Sequence, residues 1–334
     1  HTASEGIEDE LVLGAAGTLT FQNTSPRIGT LDGHNVAGTF TLNSDLNTAN
    51  ITTLSNFGSS TLAVGANTLT LNKAFTVNNL TLANGGSLVT AAGSDFEATT
   101  ALTIASGASA TLNFTSDTSP TIGTLNATGG AGTITLGSDF NTANVTALSN
   151  FSGSTIAVGG NTFTLDKALS VGTLSLTSGG SLAVTANGLT GNVTLNGANT
   201  LNLGAVASTG ITGNVSLAGD TVLTMSTPAT APFISGTFTT GAHTLTLGTD
   251  LDLTNLGGLA NNGHISLGAG GTFITGANQL KGGLTTGGNA TFNISHTASE
   301  GIEDELVLGA AGTLTFQNTS PRIGTLDGHN VAGT

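Results

Sequence analysis

The feature that most constrains the fold of this chain is an exact internal duplication. Residues 1–39 recur without a change as residues 296–334. A repeat of this length indicates either an artificial overlap or, as we favour, a tandem array of near-identical blocks. We therefore expect residues 1–295 to be one full block and residues 296–334 to be the start of the next identical block.

A second, more diverged repeat lies inside the block. Residues 25–88 align without gaps to residues 119–182, and 40 of the 64 positions are identical. Where the copies differ, apolar residues often replace one another, as Leu46 against Phe140 and Leu62 against Ile156, which core positions tolerate. Residues 183–295 follow the same plan only loosely. Stacked repeats that each contact their neighbours are typical of solenoid proteins.

The commonest local pattern alternates threonine with an apolar residue, as in residues 18–21, 39–42, 68–71, 162–165 and 244–247. A period of two predicts short strands with one apolar face, and the Gly, Asn and Ser between them supply turns. The connections are too short for helical crossovers. The sequence predicts an all-β fold, a parallel β-solenoid. We expect roughly 18–22 residues per coil and, at about 4.8 Å per coil, roughly fifteen coils and about 70 Å per block.

The amino-acid composition limits which binding partners and which cellular compartment we expect for this chain. Five Lys and Arg against nineteen Asp and Glu give a formal net charge of −14, which disfavours nucleic acid because phosphate contacts need clustered basic side chains. The chain has no cysteine for disulfides or thiolate metal sites, and no apolar run approaches the ~20 residues of a membrane helix. We expect an extracellular protein. A start at His1, without Met or leader, is interpreted as that of a mature or excised segment.

Phrases of the type Thr-Leu-Thr-Leu and Asn-Gly-Gly-Ser-Leu occur at residues 18–21, 68–71 and 84–88. They resemble those of bacterial β-helical exoproteins, namely filamentous-haemagglutinin-like adhesins and autotransporter passenger domains. The resemblance covers nearly the whole chain and lies in composition and period. It implies a secreted, surface-attached fibre that mediates adhesion, aggregation or matrix building, and it transfers no catalytic or binding residue.

The densest acidic cluster is the candidate metal site. Its members are Glu5, Glu8, Asp9 and Glu10, repeated as Glu300, Glu303, Asp304 and Glu305. Closely spaced carboxylates could hold Ca²⁺, although the spacing lacks the pattern of a calcium loop or of a calcium-binding β-roll. The alternative is a charged loop that projects from the rod and blocks lateral aggregation. No other cofactor is predicted.

Other polar residues favour structural roles. Asp45, Asp139 and Asp250 recur between Ser or Thr and an apolar residue, and each is predicted to bond the backbone of its own turn. Asp95 and Glu97 are a candidate carboxylate pair of the kind that glycosidases use. An enzyme of this kind would also need basic groups, and one block holds four, far apart: Arg27, Lys73, Lys167 and Lys281. The histidines His1, His34, His243 and His264 do not fall at metal-ligand spacing.

Three functions compete. The favoured hypothesis is a non-enzymatic structural or adhesive filament, whose partners are its own blocks end to end, neighbouring rods side by side, and surface glycans. The first alternative is a β-solenoid binding module with a Thr or Asn ladder that binds glycan or ice. The second is a β-helical enzyme acting on polysaccharide. A Thr or Asn grid in most coils would favour the module, and two basic residues near Asp95 and Glu97 would favour the enzyme.

Overall fold

The computed structural model describes residues 6–117, 119–130, 132–185, 188–204, 210–225, 234, 236–247, 251–252, 264–295 and 300–328. Their fold is all-β, with parallel strands stacked as a β-solenoid of about 13 turns. The helices among these residues are two 3-10 turns, η1 (Thr48–Asn50) and η2 (Thr142–Asn144). The predicted fold class is confirmed. The chain divides into two compact units, His1–Ala157 and Val158–Thr334.

Unit 1 is built from short strands separated by turns. They are β1 (Ile7–Val12), β2 (Gly17–Leu19), β3 (Ile28–Asp32), β4 (Thr39–Leu42), β5 (Leu46–Asn47), β6 (Ile51–Ser55), β7 (Thr61–Gly65), β8 (Thr68–Leu71), β9 (Ala74–Leu82), β10 (Ser87–Thr90), β11 (Asp95–Ile104), β12 (Ala110–Asn113), β13 (Thr121–Ala127), β14 (Thr133–Leu136), β15 (Phe140–Asn141) and β16 (Val145–Ser149), while β17 (Thr155–Gly159) crosses the boundary of the unit. Each strand pairs in parallel with the strand one coil away.

A coil of unit 1 carries three strand segments. In the coil that starts at Thr68, β8 is the first segment, and the long strand β9 supplies the other two. The pairing of β9 with β11 shows this division, because its register shifts between Ala98 and Ala101. The same alternation that predicted strands then places apolar side chains inside. The buried phenylalanines include Phe96, which is fully buried and stacks on Phe114 with ring centroids 6.2 Å apart.

The coils vary in length more than the sequence led us to expect. Leu69 pairs with Leu88 and Leu88 pairs with Leu112, so the second of these coil steps is longer than the first. Five successive coil steps lead from Thr18 to Asn126, and their mean length lies at the upper end of the expected range. The expectation of fifteen coils per block is therefore wrong, because the corner loops add residues that the strand spacing did not reveal. The described solenoid has about 13 turns.

The internal repeat is out of phase with the coils. The equivalent strands β4 and β14 belong to different faces of unit 1. β4 stacks on β7 and then on Asn79–Leu82 of β9, whereas β14 stacks on β12, β10 and β8. Since β8 and β9 are successive strands of one coil, the spacing of the internal repeat is not a whole number of turns. Repeat-equivalent side chains are thereby distributed over different faces.

A recurrent Ile-Gly-Thr-Leu motif has a steric cause. In β11 a bulge turns the carbonyl oxygens of Thr99 and Thr100 towards the next coil, and Gly123 of β13 lies against them. A Cβ on Gly123 would lie 2.6 Å and 2.5 Å from those two oxygens. Gly29 of β3 lies in the same way against the carbonyls of Glu8 and Asp9. Glycine is required at these positions because the bulge of the preceding coil occupies the space of a side chain.

Gly123→Ala is expected to destabilise unit 1 by about 1–3 kcal/mol, because the added methyl forces the bulge or β13 to move. The control is Gly58→Ala, since a Cβ at Gly58 meets nothing within 4 Å. That variant is expected to be neutral or to stabilise by up to about 1 kcal/mol through the unfolded chain. Urea unfolding followed by circular dichroism measures both. Equal losses in the two variants would contradict the steric explanation.

Unit 2 repeats the architecture. Its strands are β18 (Thr162–Leu165), β19 (Leu169–Leu176), β20 (Ser181–Val184), β21 (Leu189–Leu195), β22 (Asn199–Leu203), β23 (Ile211–Thr212), β24 (Val215–Leu217), β25 (Thr221–Met225), β26 (Phe238–Thr239), β27 (Thr244–Leu247), β28 (Leu251–Asp252), β29 (His264–Leu267), β30 (Gly271–Ile274), β31 (Leu280–Lys281), β32 (Gly283–Thr286), β33 (Ala290–Asn293), β34 (Ile302–Leu308), β35 (Leu314–Phe316) and β36 (Ile323–Asp327). One parallel stack runs β18–β20–β22–β25–β27–β30–β33–β35. The longest coil step among the described pairings runs from Leu251 to Leu280.

Polar side chains at the corners join successive coils. In unit 1 the Asn84 side chain accepts a hydrogen bond from the Ser109 N–H at 3.0 Å. In unit 2 the Asp220 and Asn289 side chains accept from the N–H groups of Thr244 and Thr313, at 2.7 and 2.8 Å. These bonds satisfy backbone donors at the starts of strands, where the ladder has not yet begun. The abundance of Asn at turns thus stabilises the contact between coils.

Candidate functional surface

The acidic cluster lies on strands. Glu8, Asp9 and Glu10 belong to β1 and are exposed, and Glu303, Asp304 and Glu305 belong to β34. The interpretation as a projecting loop is wrong, since Glu10 pairs with Thr30 and Glu305 with Thr325 after a bulge. Glu300 is exposed just before β34, and Glu5 lies outside the described residues. At the bulge of β1, Glu8 and Asp9 together face the single residue Gly29 of β3. The bulge thus accommodates the two residues that break the apolar alternation.

Glu10 meets a carboxylate from the next coil. Asp32 of β3 accepts hydrogen bonds from the His34 N–H at 2.6 Å and from the Asn56 side chain at 2.9 Å. The His34 N–H is the largest of the interactions that hold the pKa of Asp32 below its ordinary value of 3.8. The hydrogen bond with Asp32, which requires a proton on Glu10, is the main reason that the pKa of Glu10 is raised above 4.5. Of the two carboxyls, Glu10 is therefore the first to take up a proton as the pH falls.

This pair predicts a pH dependence of stability. The raised pKa of Glu10 contributes stability that is complete below the unfolded value and is lost as the pH rises through the folded value. The lowered pKa of Asp32 contributes stability that is lost only as the pH falls below its ordinary value. The two contributions are both present near pH 4, between the ordinary values of 3.8 and 4.5. The protection factors of the β1 amide protons, measured from pH 3 to 7 relative to the intrinsic exchange rate at each pH, should be highest there.

Glu10→Gln is the variant that isolates this effect. Its amide can still donate to Asp32 but does not titrate, so protection of β1 should no longer fall as the pH rises from 4 to 7. Glu8→Gln removes the same charge from the same strand and should keep the wild-type profile. A wild-type profile in Glu10→Gln would show that the pair does not control the pH dependence.

The internal repeat identifies Asp32 as a coil-linking residue. The equivalent position in the second copy of the repeat is Asn126, whose side chain accepts from the Asn150 amide at 2.8 Å, as Asp32 accepts from Asn56. The carboxylate and the amide serve the same acceptor role. The alignment of Asp32 with Asn126 and of Asn56 with Asn150 was a signal for this contact, which the sequence analysis missed. It argues for a structural role of Asp32.

The structure describes two of the three recurrent aspartates, Asp45 and Asp139. Asp45 does not bond its own turn as predicted, but accepts a hydrogen bond from the Thr68 N–H of the next coil at 2.7 Å. Asp139 is exposed ahead of β15 and has polar partners. Asp250 lies outside the described residues. The error arose because a partner one coil away leaves no local signature.

The candidate carboxylate pair lies along one strand. Asp95 and Glu97 are alternate residues of β11, and the Glu97 carboxylate accepts from the Thr76 hydroxyl of the preceding coil at 3.2 Å. Interior space in unit 1 is lined mainly by leucine and phenylalanine side chains such as Leu31 and Phe57. Within the described residues, no three His, Cys, Asp or Glu side chains group to hold a metal ion. Of the histidines, His34 is exposed and His243 is half-buried, while His1 and the side chain of His264 are outside what the structure describes.

Threonine pairs are not stacked into a grid on the face of unit 1 that β4, β7, β9, β11 and β13 form. The outward pairs of successive coils on this face are Thr39 and Thr41, Thr61 and Ala63, Asn79 and Thr81, Ala101 and Thr103, and Thr124 and Asn126. Among the described residues of unit 2, one threonine column runs over four coils, Thr244–Thr272–Thr291–Thr315. The neighbouring outward column contains Thr246 and Ile274. The ladder is therefore one residue wide where it is continuous.

The junction between the two blocks is part of the solenoid of unit 2. Before the junction lie β31, β32 and β33, and after it lie β34 and β35. Leu284 pairs with Leu306, and Phe292 with Phe316, whose rings stack at 5.3 Å. The Ala290 N–H donates to the Thr313 carbonyl at 3.0 Å. The second block thus begins in register on the last coil of the first.

The two copies of the duplicated sequence differ in burial. Ile302 and Val307, covered by the preceding coil, are 0% and 8% exposed, whereas the identical Ile7 and Val12 are 38% and 43% exposed. β1 and β2 form the edges of their sheets. At the other end, Leu326 is 55% exposed, whereas its equivalent Leu31, paired with Leu54, is 2% exposed. The same residues are core or surface according to whether the next coil is present.

No family model, curated protein or solved structure matches this chain. The fold and the contacts between coils therefore carry the functional argument. Among the described residues, no helix has the length and apolar character needed to cross a membrane.

Proposed function

We propose that this chain is a segment of a structural or adhesive extracellular filament, built from tandem copies of the block that residues 1–295 represent. The observation that carries the proposal is the junction. At the junction, Ile302 in the second copy of the duplicated sequence is fully buried and pairs with Leu280 of the preceding coil. Coils that stack in register in this way gain stability with each coil added.

The outward chemistry supports a filament with a uniform surface. Thr, Ser and Asn occupy most outward strand positions, and charged residues make up 7% of the chain. Because the internal repeat is out of phase with the coils, equivalent side chains face different directions. A neutral, hydrated coat of this kind suits a spacer or a matrix fibre, and the resemblance to bacterial β-helical exoproteins points the same way.

The experiment is immunogold labelling of unpermeabilised source cells, with an antibody raised against residues 7–12, combined with negative-stain microscopy. We expect thin fibres outside the cell, each labelled at several points along its length. Label confined to permeabilised cells, or to compact particles, would contradict the proposal.

A glycan-binding face is the second candidate, because the threonine column of unit 2 runs over four coils. The full chain would be applied to a glycan array beside the double variant Thr272→Val, Thr291→Val, which removes two hydroxyls and keeps the branched shape. Binding that the variant loses would favour this function. Binding that survives in the variant, or no binding at all, would contradict it.

A further inference from the structure

We propose that Asn196 is a site of spontaneous chemical modification, where the folded chain slowly converts its own asparagine to aspartate and isoaspartate. Asn196 is followed by Gly197 at the corner between β21 and β22. Asn-Gly pairs are prone to this reaction because glycine carries no side chain that would hinder attack by its backbone nitrogen. The modification does not depend on whether the chain forms a filament, but on how this corner is hydrogen-bonded.

The reaction needs the backbone of the corner and water from the solvent. The Gly197 nitrogen attacks the Cγ of Asn196, the proton of that nitrogen passes to the departing side-chain nitrogen, and ammonia leaves. The cyclic succinimide that results takes up one water molecule at either of its two carbonyls. Opening at one carbonyl gives an aspartate side chain. Opening at the other gives isoaspartate, in which the main chain is longer by one methylene.

The attacking nitrogen is without a partner at this corner. No described residue accepts a hydrogen bond from the Gly197 N–H. The Asn196 side-chain amide donates to the Ser175 hydroxyl at 3.2 Å, at the outer limit of the usual range for such a bond. Asn196 and Gly197 are both half-buried, so the water that the reaction consumes can reach them.

A second polar atom of the same corner is unsatisfied. The Asn199 side-chain amide donates to the Gly197 carbonyl at 2.7 Å, but its own carbonyl oxygen is buried and has no hydrogen-bond partner among the described residues. A buried acceptor without a hydrogen bond destabilises the folded arrangement, and local opening exposes it to water. The corner therefore opens more readily than a fully hydrogen-bonded one, and opening frees the Asn196 side chain to meet the Gly197 nitrogen.

The same pair of residues at another corner is held closed. Asn84 and Gly85 lie between β9 and β10. The Asn84 side chain accepts a hydrogen bond from the Ser109 N–H at 3.0 Å, and the Gly85 N–H donates to the Ser109 carbonyl at 2.7 Å. One residue of the next coil thus holds both reacting groups. Asn84 is exposed, so its slower reaction is expected from hydrogen bonding and not from shielding against water.

The test follows both sites in the full 334-residue chain. The folded chain is incubated in neutral buffer and digested at acidic pH, where the reaction is slow, and mass spectrometry quantifies each peptide. We expect Asn196 to convert at least tenfold faster than Asn84. The other Asn-Gly pairs, at positions 187–188 and 262–263, extend outside the described residues and are quantified as separate peptides.

The same incubation in urea shows whether the fold causes the difference. In the unfolded chain the two pairs have no partners from neighbouring coils, so Asn196 and Asn84 should convert at similar rates. Equal rates in the folded chain would overturn the proposal, as would conversion of both residues only in urea. A difference that persists unchanged in urea would also overturn it, because the cause would then lie in the local sequence.

The consequence for the solenoid provides a second measurement. Isoaspartate lengthens the main chain between Leu195, which pairs with Leu217, and Leu201, which pairs with Leu223. Aged chain should therefore show faster hydrogen exchange in β21 and β22 than fresh chain. Asn196→Ser cannot react and should show no such change.

Asn84→Ser is the matched control for that variant. Serine is compatible with this corner, since Ser178 stands at the equivalent position of the internal repeat. Each variant is compared with its own fresh sample, and Asn84→Ser should age as the wild type does. If Asn196→Ser loses protection in β21 and β22 as fast as the wild type, the ageing has another cause and the proposal fails.

Discussion

Ile302→Ala is expected to lower the stability of the coils around the block junction by about 2–5 kcal/mol, the usual cost of removing a buried isoleucine side chain. Ile302 is fully buried and pairs with Leu280 of the coil before it and with Ile323 of the coil after it. The alanine would leave a cavity that the two neighbouring strands cannot fill without breaking their pairing. Native-state hydrogen exchange at β32 and β34 measures the local free energy of opening.

The control for this prediction is supplied by the duplication. Ile7 has the same local sequence but is 38% exposed, so Ile7→Ala should cost much less than Ile302→Ala. The two substitutions make the same chemical change, and they differ in the coil that covers them. Equal losses would contradict the claim that the preceding coil stabilises the start of a block.

Phe96→Ala is expected to destabilise unit 1 by about 3–5 kcal/mol. Its ring is fully buried and stacks on Phe114, which stacks in turn on Phe140 at 5.6 Å. Each phenylalanine comes from a different coil, so the column of rings holds three coils together. Urea unfolding followed by circular dichroism provides the measurement.

Phe96→Leu is the conservative partner of this substitution. Leucine retains most of the apolar volume and loses the ring contact, so we expect a cost below about 1.5 kcal/mol. A loss from Phe96→Ala no greater than that from Phe96→Leu would show that the interior of unit 1 is loosely packed, contrary to the burial of its phenylalanines.

The fold class could be predicted because it depends on local pattern. Alternation at residues 68–71 and 162–165 defines strands with one buried face, and β8 and β18 occupy those residues. The coil length could not be predicted, because corner loops between strands vary without changing the alternation. The step from Leu69 to Leu88 is shorter than the step from Leu88 to Leu112, although the strands at their ends look alike.

The polar contacts were harder to predict for a related reason. Asp45, Asp32 and Asn84 each bond a residue that lies one coil away along the chain. A turn residue that bonds its own backbone and one that bonds the next coil have the same local sequence. The acidic segment was misassigned to a loop because its three carboxylates break the alternation, whereas β1 accommodates them with a bulge. Gly29 was the signal for that bulge, as Gly123 was for the equivalent bulge of β11.

If blocks follow one another in one continuous solenoid through the junction seen at β31–β35, the native material is a fibre with a regular axial repeat. Electron microscopy of that material, with averaging along the fibre axis, measures the repeat. We expect a thin unbranched fibre with an axial spacing near about 4.8 Å between stacked strands and a longer repeat of roughly 60 Å, the length of about 13 turns. Compact particles of uniform size, without an axial repeat, would show that the blocks do not form a continuous solenoid.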